Sequence, residues 1–233
     1  YGYSWHFISN GQNTQPYLSL IEKYRNSFKH VTLSLDGATA ETHDQLRRKK
    51  GAFDNLLRAA KEYVEYGCDL FISTSLNQKN KKDIEKIILL AEELGGKRIV
   101  FLGTISTEWN QNLTLSDGEN LEIYQEIMSF RKENKIKIHV GNSLYTRGGV
   151  NFCSYLNLHD ELTFNAKGEL IFCCDTANNG ITIDTIKGNT LSSLIAKWLS
   201  YSADLQASRA KQISTGQIIE GFDTCNFCNT YMS

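Results

Sequence analysis

His30-Val-Thr-Leu-Ser-Leu-Asp-Gly37 alternates apolar and polar side chains along its length. Val31, Leu33 and Leu35 fall on one face of the strand that this period predicts, and Thr32, Ser34 and Asp36 fall on the other. The apolar face would meet covering helices. The polar face points the opposite way, and polar groups turned inward need a reason. In a parallel sheet, ligands gather at the carboxyl ends of the strands, where Ser34, Asp36 and Gly37 stand. Taken alone, Asp36-Gly37 also suits a tight turn.

Outward from this strand the pattern repeats. On the N-terminal side, residues 3–9 predict a strand ending in Asn10-Gly11. Residues 17–28 predict a helix with Leu18, Ile21, Tyr24 and Phe28 on one face. His6 reads as a packed barrel histidine rather than a ligand. On the C-terminal side, Phe53, Leu56, Leu57, Ala60 and Val64 keep helical spacing before Gly67, and residues 69–77 form a third strand. Ile84, Ile87, Ile88, Ala91 and Leu94 mark another helix closed by Gly95-Gly96, followed by an apolar strand over 98–102. Ser116 with Glu119 is a capping box for a helix bearing Leu121, Tyr124 and Met128, and 136–140 offers a further strand. Strand–helix alternation of this kind implies parallel strands with right-handed crossovers, hence an α/β barrel or a doubly wound sheet.

Past residue 148 the pattern changes. Residues 161–164 and 169–172, joined through Asn165-Ala-Lys-Gly168, predict a β-hairpin, and Leu191, Leu194, Ile195, Trp198 and Leu199 a helix face. Gly148-Gly149 suits a joint between a barrel-like domain over 1–148 and a cysteine module over 149–233. The net charge of −1 gives no electrostatic case for nucleic acid or a membrane surface. No apolar run approaches the roughly 18 residues of a spanning helix. Residue 1 is Tyr and strand character begins almost at once, so a fragment of a longer chain is expected.

Cysteine carries the strongest chemical signal. Cys225-Asn-Phe-Cys228 aims two thiolates at one centre, and Cys153 and Cys173, flanking the hairpin, can complete a four-thiolate site suited to zinc or to iron–sulfur. Cys174 should point to the other strand face, and Cys68 reads as a small buried side chain. The CxxC in a chain of this composition points to a reducing, cytoplasmic setting rather than a disulfide scaffold.

Together, Ser9-Asn-Gly11 after one strand, SLDG over 34–37, HDQLRRKKGAF over 43–53, a strand ending at Asn77 and the apolar strand to Leu102 resemble the radical S-adenosylmethionine (radical SAM) enzymes. The tail resembles their SPASM or shorter twitch auxiliary module: Cys153, then Gly168 to Cys173, then Cys225 to Cys228 match its cysteine, GxxxxC and CxxC pattern. The resemblance implies the last four of six strands of a partial (β/α) barrel, then a small α+β module holding a 4Fe–4S cluster. The family's CxxxCxxC loop and GGE-like segment are absent from the 233 residues. A second 4Fe–4S cluster would therefore belong to the missing N-terminal part of the parent, and this chain alone should be inactive.

Carried over by position, the resemblance implies that Ser34 touches the methionine carboxylate or ribose of S-adenosylmethionine, with Asp36 beside it. Arg47 would pair with that carboxylate, with Arg48 the alternative register. Asn77 would lie near the ribose and Leu102 would border the adenine. Asp175 is a candidate proton acceptor. The implied parent generates a 5′-deoxyadenosyl radical to take hydrogen from a peptide, protein or small-molecule substrate, reduced by a donor such as ferredoxin or flavodoxin. The rival reading is a non-catalytic peptide-binding module with a structural four-cysteine zinc site.

Overall fold

The computed structural model describes residues 3–104, 110–131, 135–141, 144, 162–173 and 182–216. The chain forms two compact units, 1–144 and 145–233.

In the first unit, strands β1 (Trp5–Ser9), β2 (Phe28–Ser34), β3 (Leu70–Leu76), β4 (Gly96–Gly103) and β5 (Lys137–Val140) form one sheet in sequential order. Every neighbouring pair is parallel. Helices α1 (Gln15–Lys23), α2 (Ala40–Arg47), α3 (Ala52–Glu65), α4 (Ile84–Glu93) and α5 (Asp117–Phe130) fall between the strands. A doubly wound sheet reverses its strand order to put helices on both faces, whereas this order never reverses. The burial agrees with one helix-covered face. Val31, Leu33, Leu70, Ile72, Leu76, Ile99 and Phe101 are buried with Leu56, Tyr63, Ile87 and Ala91 of the helices in one core. The fold is thus mixed α/β with a barrel-like parallel sheet. It carries five strands, the fifth being the further strand expected over 136–140.

Three local readings are corrected. The helix expected over 17–28 ends at Lys23, and Phe28 opens β2 while Tyr24 is exposed, because Phe28 packs against Trp5 and Phe7. On α5 the capping box forms as expected, but the helix buries Ile123 and Ile127 and leaves Leu121 exposed. A heptad-like run of apolar residues fits two adjacent faces of a short helix, and packing chose the β-branched one. His6 is exposed and stacks on His30 instead of lying packed.

In the second unit, β6 (Thr163–Phe164) and β7 (Glu169–Ile171) make the expected antiparallel hairpin, and β8 (Asp184–Thr185) adds a strand to it. Gly168 takes φ +78, which explains a glycine at the turn. Helix α6 (Leu191–Ser214) is longer than its apolar run suggested. Leu194, Trp198 and Leu205 pack on Leu170, Phe172 and Cys173, whereas Leu191, Ile195 and Leu199 remain exposed. Among the described residues no helix is long and apolar enough to cross a membrane.

A candidate cofactor site at the carboxyl ends of the strands

The side chains gathered where β2 and β3 end are tied together through Asp36. Its Oδ1 accepts the Ser75 N–H at 3.0 Å and its Oδ2 meets Arg47 Nη2 at 2.7 Å. Its backbone carbonyl accepts from Asn80 Nδ2 at 2.9 Å, and its N–H donates to His43 Nδ1 at 3.2 Å. Asp36 therefore clamps β2 to β3 and to α2. Thr74 Oγ1 adds a 2.7 Å bond to the Leu35 carbonyl.

Helix α2 brings His43 and Arg47 to this cluster because Thr39 caps its start and Gly37 lets it approach. A Cβ at Gly37 would stand 2.6 Å from His43 N and 2.8 Å from Thr42 Cβ. Asp44 faces the other way: its carboxylate accepts from Gly51 N (2.6 Å) and Phe53 N (2.8 Å) at the start of α3. Those bonds, Phe53 first, hold its carboxyl below the usual range. His43 is buried, and burial pushes its imidazole below the ordinary value, against a smaller upward pull from Asp36.

The expected site residues divide as follows. Ser34 is half-buried, in register with Ser73, and its carbonyl accepts from Arg47 Nη2 at 3.3 Å. Arg47 keeps Nε buried with no partner, a donor available to a polar ligand, although one arm is already committed to Asp36. Arg48 ends α2 in the left-handed conformation, φ 51, and takes no part in the cluster's bonds to Asp36. Asn77 is buried and locally engaged: its Nδ2 donates to the Ser75 carbonyl at 3.1 Å and its Oδ1 accepts from Lys79 N at 2.9 Å. That is an Asx-turn geometry, with Asn80 Oδ1 accepting from Asn77 N at 2.8 Å. Leu102 pairs with Ser75 across the sheet at the same end.

Sequence reasoning missed His43, Asn80 and Thr104. Thr104, just past β4, has a buried hydroxyl without a partner. Two unpartnered buried donors at one end of the sheet, Arg47 Nε and Thr104 Oγ1, fit a polar ligand such as S-adenosylmethionine. Of the candidate metal ligands, Cys173 lies buried just beyond β7. Cys153, Cys225 and Cys228, like Cys174 and Asp175, lie outside the described residues. Cys173 packs in the apolar core with Leu170, Phe172 and Trp198, and among the described residues no three His, Cys, Asp or Glu side chains gather to hold a metal. Cys68 is buried as expected, and burial raises its thiol above the usual value.

No family model matches the chain. It is similar to the AdoMet-dependent heme synthase of Methanosarcina barkeri, 29% identical over 132 residues, which is 56% of this chain and 37% of that protein. The Fe-coproporphyrin III synthase of the same organism is 37% identical over 94 residues, 38% and 23% of the two chains. The PqqA peptide cyclase of Ruegeria pomeroyi is 34% identical over 70 residues, 30% and 19%. The chain thus spans well under half the length of these relatives. Among solved structures, Streptococcus suis SuiB bound to S-adenosylmethionine superposes with a TM-score of 0.64 at 12% identity, covering 81% of this chain and 47% of SuiB. SuiB has also been solved with its precursor peptide SuiA. AnSMEcpe with bound AdoMet gives 0.60 at 15% identity, covering 81% and 53%.

Proposed function

We propose that this chain, a radical SAM relative by sequence and fold, supplies the later strands of a radical SAM barrel and an auxiliary iron–sulfur module to an enzyme that modifies peptides or other substrates. The observation that carries the reading is the buried, unpartnered Nε of Arg47 at the carboxyl end of β2. With S-adenosylmethionine and a reduced 4Fe–4S cluster bound, the site would gain a 5′-deoxyadenosyl radical able to take hydrogen from a substrate. This chain's residues would bind and orient. Arg47, held by Asp36, offers its guanidinium to the methionine carboxylate; Ser34 offers a hydroxyl to the carboxylate or ribose; Asn77 and Leu102 border the ribose and adenine. Asp36 serves by holding Arg47 and the ends of β2 and β3, a part narrower than direct contact. Asp175 remains the candidate proton acceptor.

Cys153, Cys173, Cys225 and Cys228 would hold the auxiliary cluster, over a module spanning 149–233. None of the six cysteines has CxxxCxxC spacing, so the cluster that binds S-adenosylmethionine would come from sequence outside these 233 residues, and this chain alone would be inactive. Two of the similar proteins are named for peptide cyclisation or solved with a precursor peptide, which supports a peptide substrate; the haem-related relatives support a small molecule instead. A cytoplasmic site of action and a ferredoxin- or flavodoxin-like donor belong to the same reading.

The test is formation of 5′-deoxyadenosine from S-adenosylmethionine by the protein expressed from its full reading frame, reduced and reconstituted. Arg47→Ala should lower turnover and raise the KM for S-adenosylmethionine. No deoxyadenosine from the unsubstituted protein would instead favour the zinc-binding, non-catalytic module.

A further inference from the structure

The face of the sheet opposite the helices has a charge pattern that the cofactor reading does not use. Register and alternation put His30, Thr32 and Ser34 of β2, Phe71, Ser73 and Ser75 of β3, Arg98 of β4, and Lys137 and His139 of β5 on it. No strand residue on this face is acidic. Arg98, Lys137 and His139 are exposed. A ladder crosses the strands: His6 stacks on His30 at 4.4 Å, His30 on Phe71 at 4.0 Å, and the Arg98 guanidinium covers Phe71 at 4.7 Å.

Stacked face to face along the sheet, these rings have their flat surfaces occupied by one another and turn their edges outward. Imidazole edges and a guanidinium edge are hydrogen-bond donors or cations, not a stacking platform. Burial lowers the His30 pKa most, with His6 and then Arg98 adding to it; burial likewise leads at His139, followed by Arg98, Arg131 and Lys137. Arg98 is thus within electrostatic reach of both histidines. Asp69, just before β3, is the acid that acts on His30, and Lys97 already pairs with it. A cavity of about 480 Å³ opens beside Arg98 at the amino ends of β3, β4 and β5, lined also by Asp69, Lys97, Lys135 and Lys137. Its other acid, Glu92, accepts the Ile136 N–H at 3.0 Å.

We propose that this face, toward the amino ends of its strands, binds the carboxylates of an anionic ligand, with Arg98 as the ion-pairing residue and His30 and His139 as flanking donors. It lies at the end of the sheet opposite the proposed cofactor cluster and is a second site, independent of that reading. Carboxylates could come from a small polyacid or from an acidic peptide. Citrate and a hexaglutamate peptide, titrated calorimetrically into the 233-residue chain at low ionic strength, separate the sources, since the preferred arm names one.

Wild-type chain should bind one of the two at millimolar concentration or tighter, with the His30 and His139 ring resonances shifting in NMR spectra. Arg98→Gln should weaken that binding about tenfold, the loss of one charge-assisted contact. Arg98→Lys should fall between, and His139→Gln should weaken it without changing the melting temperature at pH 7.5. Equal binding by Arg98→Gln and wild type overturns the proposal, as does no binding by wild type. Neither probe needs the cluster or S-adenosylmethionine, so this failure would leave the deoxyadenosine test of the cofactor reading standing.

Discussion

His43 shows how one side chain fixes the geometry of the candidate site. Its Nδ1 accepts the Asp36 N–H, so the neutral ring carries its proton on Nε2 and the buried imidazole resists a second proton. A histidine whose folded pKa lies below its unfolded value of about 6.5 destabilises the fold once the unfolded chain takes up a proton. Stability should therefore be complete above that value and fall as pH drops through it. His30 and His139 shift in the same direction and add to the slope. Melting temperature measured from pH 7.5 to 5.5 should decline, and His43→Gln should flatten the decline without removing it; an unchanged slope would mean that His43 binds a proton in the fold as readily as in the unfolded chain. The roles of Ser34 and Arg47 could be suspected from position along a period-two strand and a recognisable segment. That of His43 could not, because it exists only once α2 folds back over the end of β2.

At the scale of elements, strands were the most legible features and helix faces the least. Alternation in 30–37 and the repeated strand–helix rhythm fixed the parallel sheet, since a period of two leaves one choice of buried face. On α5 and α6 several apolar residues compete for one buried stripe, and tertiary packing decides among them: Ile123 and Ile127 over Leu121, Leu194 and Trp198 over Leu191 and Leu199. The turn from β2 into α2 is the most constrained join at the candidate site. A Cβ at Gly37 would meet the backbone nitrogen of His43 and the side chain of Thr42, both fixed by the first turn of α2. Gly37→Ala should push α2 away from Asp36 and cost about 1–3 kcal/mol, as overpacking against backbone does. Chemical denaturation would read that cost. In the full-length protein the same variant should raise the KM for S-adenosylmethionine, because Arg47 moves with α2; a variant as stable as wild type would show that the join tolerates a methyl group.

At the scale of the molecule, the two units differ in what can hold them together. The first buries a continuous core between its sheet and its helices. The described part of the second buries Leu170, Phe172, Cys173, Leu194, Trp198 and Leu205, with Trp198 Nε1 donating to the Phe172 carbonyl at 3.2 Å. In the four-cysteine reading a metal adds to what holds this unit together, because it ties ligands far apart in the sequence to one centre. The four-cysteine reading therefore predicts two thermal transitions in the anaerobically purified chain. Reconstitution with iron and sulfide should raise the lower transition and leave the upper one in place, with about four irons per chain and a broad visible absorbance. Cys225→Ala should lose both the iron and the shift. One tightly held zinc with the same stabilisation would assign the site to structure alone, and a Cys225→Ala chain with undiminished metal would remove Cys225 from the ligand set.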